Sequence, residues 1–367
     1  GITLLCRFDG QRVTMASQMS EADETVSSLY SVKSEQATML SFDTYNYLVH
    51  YFGQPQGSMS DDPNGTLGGD YEFIISSASA ERIELKGKKY GNRIVMKALT
   101  EDQTWKQYLT KIKKVEDDAF FYEYDLLMDG LYTGQMIRSN YTFIVTYYDE
   151  IGKVHQKTVP FMFTADGLRF HEPVTIDGQT MQNFVWKNEL ISFVCTDEGA
   201  TGVKLAGVYT AGYQSYDYYP GTYQMDFYRL NDETGQLEVA SQEVRLLKNE
   251  DGKSYWLKGL EYDILVMYDK PRGGLSVSPQ LLEKVQGGYV YLAMWDVMND
   301  YVLRNKSIGL ISYATTNGIY LVDNGVWMGE VSGFIFGVYN SQEEDAAFIG
   351  YTDAVASIRL VKKTIEE

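Results

Sequence analysis

The sequence predicts a mainly β, antiparallel protein, and three observations carry that expectation. Turn dipeptides recur along its whole length: Asp9-Gly10, Asp129-Gly130, Asp166-Gly167, Asp177-Gly178 and Asp251-Gly252, then Asn64-Gly65, Asn317-Gly318 and Asn324-Gly325. Such pairs tolerate positive φ, which two-residue hairpin turns need. Alternating flanks accompany them, as at Leu4 to Phe8, Tyr71 to Ile75, Ile83 to Leu85, Ile94 to Met96, Tyr141 to Tyr147 and Val159 to Phe163. Tyrosine, a strand-favouring residue, occurs 30 times, against 32 Lys and Arg together. Curved meanders closing into barrel- or sandwich-like forms fit this pattern.

One segment breaks the period of two. From Thr100, TEDQTWKQYLTKIKKVEDD puts Trp105, Leu109, Ile112 and Val115 on one helical face. Thr100 with Gln103 reads as a capping box, so an amphipathic helix is expected over about 101–115. A second, weaker helical pattern runs from Ser278 to Val285. Parallel βαβ architecture would need many more helices. The polar, Gly-containing stretch Asp197 to Thr201 suggests a boundary, giving domains 1–197 and 198–367. Each half carries a strand, basic Gly turn, strand unit, around Lys86-Gly-Lys-Lys-Tyr90 and Lys270-Pro-Arg-Gly-Gly274, too short a likeness to establish a repeat.

Charge and length narrow the function classes. The 367 residues carry a net charge of -18, which repels phosphate backbones and argues against nucleic acid as a partner. No apolar run approaches the roughly 20 residues of a membrane helix. Cys6 and Cys195 are the only cysteines, so there is no disulfide framework and no CxxC metal pattern, and two lone buried thiols are expected in place of a disulfide. The opening residues read as a strand in progress, so any export or lipid signal is expected outside this chain.

Chemistry-bearing patterns are sparse. The three histidines, His50, His155 and His171, fit no zinc-hydrolase spacing, and no GxSxG elbow or phosphate-binding glycine loop occurs. Asp61, Asp62 and Asn64, in a Gly-containing acidic loop, are the only metal candidates, for Ca²⁺. Read as a strand, Phe42 to Phe52 faces Phe42, Thr44, Asn46, Leu48, His50 and Phe52 one way, with Tyr45 on the other face. Tyr45 and His50 are ligand candidates there. Tyr213, Tyr216, Asp217, Tyr218 and Tyr219 crowd one Gly/Pro-flanked loop, a candidate surface for stacking on sugars or clamping peptides. Trp295 and Trp327 could complete an aromatic platform.

The segments LSFDTYNYLVHYFGQP (Leu40 to Pro55), GGDYEFII (Gly68 to Ile75), IELKGKKYGNRIVMKAL (Ile83 to Leu99) and TWKQYLTKIKK resemble a domain-of-unknown-function lipoprotein family of gut Bacteroidetes. Tyr219 to Tyr223 and YWLKGL (Tyr255 to Leu260) are similar to second domains of related lipoproteins. The resemblance implies export, a lipid anchor, and a place beside SusC/SusD-like outer-membrane uptake proteins. It brings no catalytic residues. Residues and resemblance together predict a non-enzymatic accessory protein at the cell surface or in the periplasm, with a glycan or peptide ligand. It would meet the membrane only through an N-terminal lipid anchor absent from this chain. A hydrolase with a carboxylate- or His50-based site and a purely structural docking subunit are the alternatives.

Overall fold

The computed structural model describes residues 1–34, 37–55, 66–99, 103–149, 151–231, 233–343 and 345–363. The chain divides into two compact units, Gly1–Val208 and Tyr209–Glu367. Both are built from antiparallel strands, as the turn chemistry predicts.

The first unit opens with a seven-stranded meander in sequence order. Its strands are β1 (Leu4–Asp9), β2 (Arg12–Ser17), β3 (Val26–Ser34), β4 (Thr38–Phe42), β5 (Glu72–Ala78), β6 (Arg82–Gly87) and β7 (Arg93–Lys97). Val13, Met15, Leu40, Phe42, Phe73 and Leu85 form its core. The expected strand over Phe42 to Phe52 ends at Phe42. Asn46 then caps a single helical turn, α1 (Tyr47–His50), its side-chain oxygen accepting from Leu48 N at 3.1 Å. A buried Asn that caps a helix also bonds Ser28, which fixes the chain's turn away from the sheet.

The amphipathic helix is α2 (Trp105–Asp118), with Leu109, Ile112 and Val115 buried as the periodicity predicts. Its capping box lies at Thr104 and Gln107, one turn beyond the expected pair. Thr104 Oγ1 accepts from Gln107 N at 3.2 Å, and Gln107 Oε1 accepts from Thr104 N at 2.9 Å. The same Thr-x-x-Gln spacing occurs twice in succession, so spacing alone did not choose between them. Thr100 lies outside the described residues.

A closed eight-stranded barrel follows: β8 (Glu123–Met128), β9 (Leu131–Ser139), β10 (Thr142–Tyr148), β11 (Val154–Phe163), β12 (Gly167–Ile176), β13 (Gln179–Lys187), β14 (Ser192–Cys195) and β15 (Val203–Val208). The turns at Asp129-Gly130 and Asp177-Gly178 hold both residues at positive φ, as a type I′ hairpin requires. Gly167 serves another purpose: a Cβ there would sit 1.9 Å from Phe184 O, so only glycine lets the neighbouring strand approach. Eight strands leave an interior about wide enough for side chains. Phe143, Phe161, Phe163, Phe170, Phe184 and Phe193 fill it together with α2's apolar face.

The expected division at Asp197 is displaced to Val208. Asp197 is tied into the barrel, its carboxylate accepting from Gln182 N, Asn183 N and Asn183 Nδ2 at 2.5–2.8 Å. The chain then returns as β15, which pairs with β8 and closes the ring. Both cysteines are free. Burial pushes the Cys6 thiol up to about 12 and Cys195 to about 11, which keeps both protonated at neutral pH.

The second unit runs β16 (Gly221–Leu230), β17 (Leu237–Lys248), β18 (Ser254–Lys258), β19 (Ile264–Asp269), β20 (Gly274–Val277), β21 (Gln280–Val285), β22 (Gly288–Asp296), β23 (Tyr301–Leu303), β24 (Leu310–Thr315), β25 (Gly318–Asp323), β26 (Gly333–Tyr339) and β27 (Phe348–Lys362). Pairing of β16 with β27 closes a second eight-stranded ring through β17, β18, β19, β20, β24 and β25. The long β27 also pairs with β26, and β22, β21 and β23 continue the same twelve-stranded sheet beyond the ring. The expected weak helix at Ser278 to Val285 is the strand β21. Eight residues of helical pattern cannot compete with a ladder that pairs β21 to β22 along its length.

Candidate functional site

The tyrosine-rich loop leads into β16 and contains a 3₁₀ turn over Tyr216–Tyr218. Its rings are turned inward. Tyr216 stacks on Tyr255 at 4.7 Å and 24°, and the two exchange hydrogen bonds with backbone: Tyr216 OH donates to Ser254 O at 2.8 Å, and Tyr255 OH donates to Tyr216 O at 2.7 Å. Tyr219 OH donates to Gly273 O at 2.8 Å, Tyr223 OH to Tyr219 O at 2.6 Å, and Tyr268 OH to Gln214 O at 2.8 Å. Burial, the leading cause in each case, raises the phenol pKa of Tyr213, Tyr216, Tyr219, Tyr223, Tyr255 and Tyr268. Three of these hydroxyls satisfy carbonyls of the loop itself, at Gln214, Tyr216 and Tyr219, while those of Tyr216 and Tyr219 tie the loop to Ser254 and Gly273 on neighbouring chain. An open tyrosine platform is corrected to a plug in the second barrel's core. Of the five loop candidates, Tyr218, 39% exposed, and Asp217, paired with Lys248, are open to solvent, Tyr213 and Tyr216 are half-buried and Tyr219 is buried. A cavity of about 60 Å³ beside Tyr219 is too small for a sugar.

Trp295 and Trp327 do not extend that surface. Trp295 is buried with Ile335, Ala354 and Ala356. Half-buried Trp327 packs edge-on against Tyr301 at 5.8 Å, and its indole N–H donates to Asp296 at 3.1 Å. In the first unit His50 stacks on Tyr71 at 5.1 Å and 17°, with exposed Tyr45 tilted against it at 5.4 Å. His50 Nδ1 faces the Asn46 backbone at 3.0–3.2 Å, a local contact within α1. Asp61, Asp62 and Asn64 lie outside the described residues. Among the described residues no group of three or more His, Cys, Asp or Glu is arranged to hold a metal ion.

A cleft of about 620 Å³ opens in the first unit beside the start of α2. Three separate stretches of chain build it. The meander supplies Arg7 from β1 and Ala16 from β2, the connection before β3 supplies Ala22, Asp23 and Thr25, and the entry to α2 supplies Leu99, Gln103, Trp105 and Lys106. The Arg7 guanidinium lies over the Trp105 ring, 5.2 Å from its centroid. Lys106 Nζ pairs with Asp23 at 2.8 Å; the hydrogen bond and charge of Lys106 hold the Asp23 carboxyl below its ordinary range. The result is a small apolar floor ringed by two cations, a carboxylate, two amides and two hydroxyls, of which Thr104 and Gln107 are engaged in the helix cap. Such a lining offers donors and acceptors in fixed directions around a flat amphipathic wall.

None of this cleft was singled out from the sequence. Trp105 reads as part of the helix's core face, and it does touch that core, yet its first-turn position also leaves it at the surface. Its neighbours come from roughly residues 7–25, and no local pattern joins them to it. An aromatic residue just after a helix cap was the only available signal.

The fold defines a mainly antiparallel β protein with one closed barrel in each unit. The chain belongs to the DUF4302 family, a domain of unknown function, whose family model matches residues 1–188. A second domain of unknown function, DUF4987, matches residues 196–337. The two stretches meet around β14, inside the first barrel. No match was found to a curated protein or to a solved structure. Among the described residues no helix is long and apolar enough to cross a membrane.

Proposed function

We propose that the chain is a non-enzymatic binding protein whose cleft beside Trp105 holds a glycan. The lining of that cleft carries the reading: an aromatic ring under a guanidinium, with Asp23, Thr25, Gln103 and Lys106 around it. A pyranose presents one apolar face and a rim of hydroxyls, and this arrangement meets both. About 620 Å³ lies within the range of small-molecule sites and admits two or three sugar units or a short peptide. The setting, an exported and lipid-anchored accessory of outer-membrane nutrient uptake beside SusC/SusD-like partners, rests on the sequence resemblance and is proposed with it.

A glycan and peptide array probed with the purified chain tests the reading, with calorimetry on any hit. Arg7→Ala and Asp23→Ala each remove a polar contact from exposed positions and leave the core untouched. A glycan hit weakened about tenfold or more by either change, about 1.4 kcal/mol, supports the cleft. A folded chain that binds nothing on the array, or a ligand indifferent to both changes, overturns it.

A further inference from the structure

The second unit's twelve-stranded sheet ends on one side in two adjacent loops, 297–300 between β22 and β23 and 324–332 between β25 and β26. One buried carboxylate joins them. Asp296 accepts from Asn299 N at 3.1 Å and Asn299 Nδ2 at 3.0 Å in the first loop. It also accepts from Trp327 Nε1 at 3.1 Å and Glu330 N at 3.4 Å in the second. Asp323 accepts from Val331 N at 2.5 Å and from Gly325 N, and Asn324 Oδ1 accepts from Val326 N at 3.2 Å. Asp300 takes the Trp295 indole N–H at 3.4 Å. Gly329 packs so closely that a Cβ there would lie 2.2 Å from Asp296 Oδ2.

Four large apolar side chains stand out from these loops, beside the exposed polar groups of Asn299, Asp300 and Glu330. Met328 is 93% exposed, Met298 85%, Val326 56% and Tyr301 55%. Side chains so nearly free of neighbours stand proud of the surface, so their partner must supply the enclosing volume. A lipid layer does so without a matching shape. Loops normally resist entering lipid because their backbone groups lose water without replacement. Here the side chains of Asp296, Asp323 and Asn324 satisfy the backbone N–H groups of Asn299, Glu330, Val331, Gly325 and Val326, which lowers that cost. Tyr301 and Trp327, packed against each other on the same two strand ends and loops, are the ring types that settle at a headgroup boundary. Exposed Glu330 and the chain's -18 charge oppose an anionic surface.

We propose that this tip is a shallow insertion site for a zwitterionic lipid surface, with Met298, Val326 and Met328 entering the acyl boundary and Tyr301 at headgroup level. It is independent of the cleft and of any covalent anchor. The test is co-sedimentation of the full chain with phosphatidylcholine vesicles. Wild-type chain binds, Met298→Asp with Met328→Asp lowers the partition coefficient about tenfold or more, and added phosphatidylglycerol weakens binding. Met328→Trp gives a second readout, a blue-shifted emission on mixing with the same vesicles. A folded wild-type chain that ignores phosphatidylcholine overturns the proposal and points to a protein socket as occupant. Binding that survives the double aspartate variant, or that requires anionic lipid, overturns it as well. Glycan binding by the cleft is unaffected in every arm, so the two readings fail separately.

Discussion

The two barrels share a ring of eight antiparallel strands and fill it by different chemistry. In the first, six phenylalanines meet a helix face of Leu109, Ile112 and Val115. In the second, the tyrosine-rich loop and neighbouring strands bring Tyr216, Tyr219, Tyr223, Tyr255 and Tyr268 into or against the core, with hydroxyls bound to backbone carbonyls of the loop and of the chain beside it. The helix pairs its own backbone and needs only an apolar stripe. An irregular loop has carbonyls to satisfy, and a tyrosine brings the ring and the donor on one side chain. A cluster of tyrosines in a loop is thus as much a means of burying the loop as a binding surface.

The largest expected effect tests the helix. Leu109→Ala removes a fully buried side chain and costs about 2–5 kcal/mol, read as a lower denaturation midpoint at unchanged slope. Next come the hydroxyls: Tyr223→Phe takes the hydroxyl donor from the buried Tyr219 carbonyl and costs about 1–3 kcal/mol, and Tyr219→Phe, which leaves Gly273 O its bond from Gln214 N, costs about 0.5–1.5 kcal/mol. If both are neutral, the tyrosines act as plain hydrophobic filling and the contrast between the barrels collapses.

Alkaline titration sharpens the same comparison. Burial raises the folded-state pKa of Tyr219, Tyr223, Tyr255 and Tyr268 above the ordinary value of 10.0. The protonated phenols are favoured by folding, so this stability is complete below pH 10 and is lost as pH rises above it. Phenolate absorbance should rise late and cooperatively, together with loss of the second unit's structure. The smallest effect belongs to the surface: Tyr218→Phe, whose ring is 39% exposed, leaves stability unchanged within about 0.5 kcal/mol.

What the sequence made legible was local. Asp129-Gly130 and Asp177-Gly178 set their hairpins through backbone φ, and Leu109, Ile112 and Val115 mark their helix by spacing. Where several local signals compete, tertiary pairing decided. Ser278 to Val285 became a strand because β22 offered a ladder, and Asp197, beside the start of the second family model, lies within the barrel because three donors on β13 hold it. The candidate site was the least legible part. Tyr213 to Tyr219 stood out by composition, yet Tyr216 and Tyr219 of that run pack into or against the core, whereas Arg7, Asp23 and Trp105 are brought together by the packing of the meander against α2. Composition reports which side chains are present; it does not report which way a loop folds.

The most direct measurement is a calorimetric titration of an array-selected glycan into three proteins: wild type, Arg7→Ala in the cleft, and Tyr218→Ala on the remaining open ring of the tyrosine loop. Binding that falls about tenfold or more with Arg7→Ala and holds with Tyr218→Ala is the expected result. Loss with Tyr218→Ala and none with Arg7→Ala would contradict it and return the ligand to the second unit.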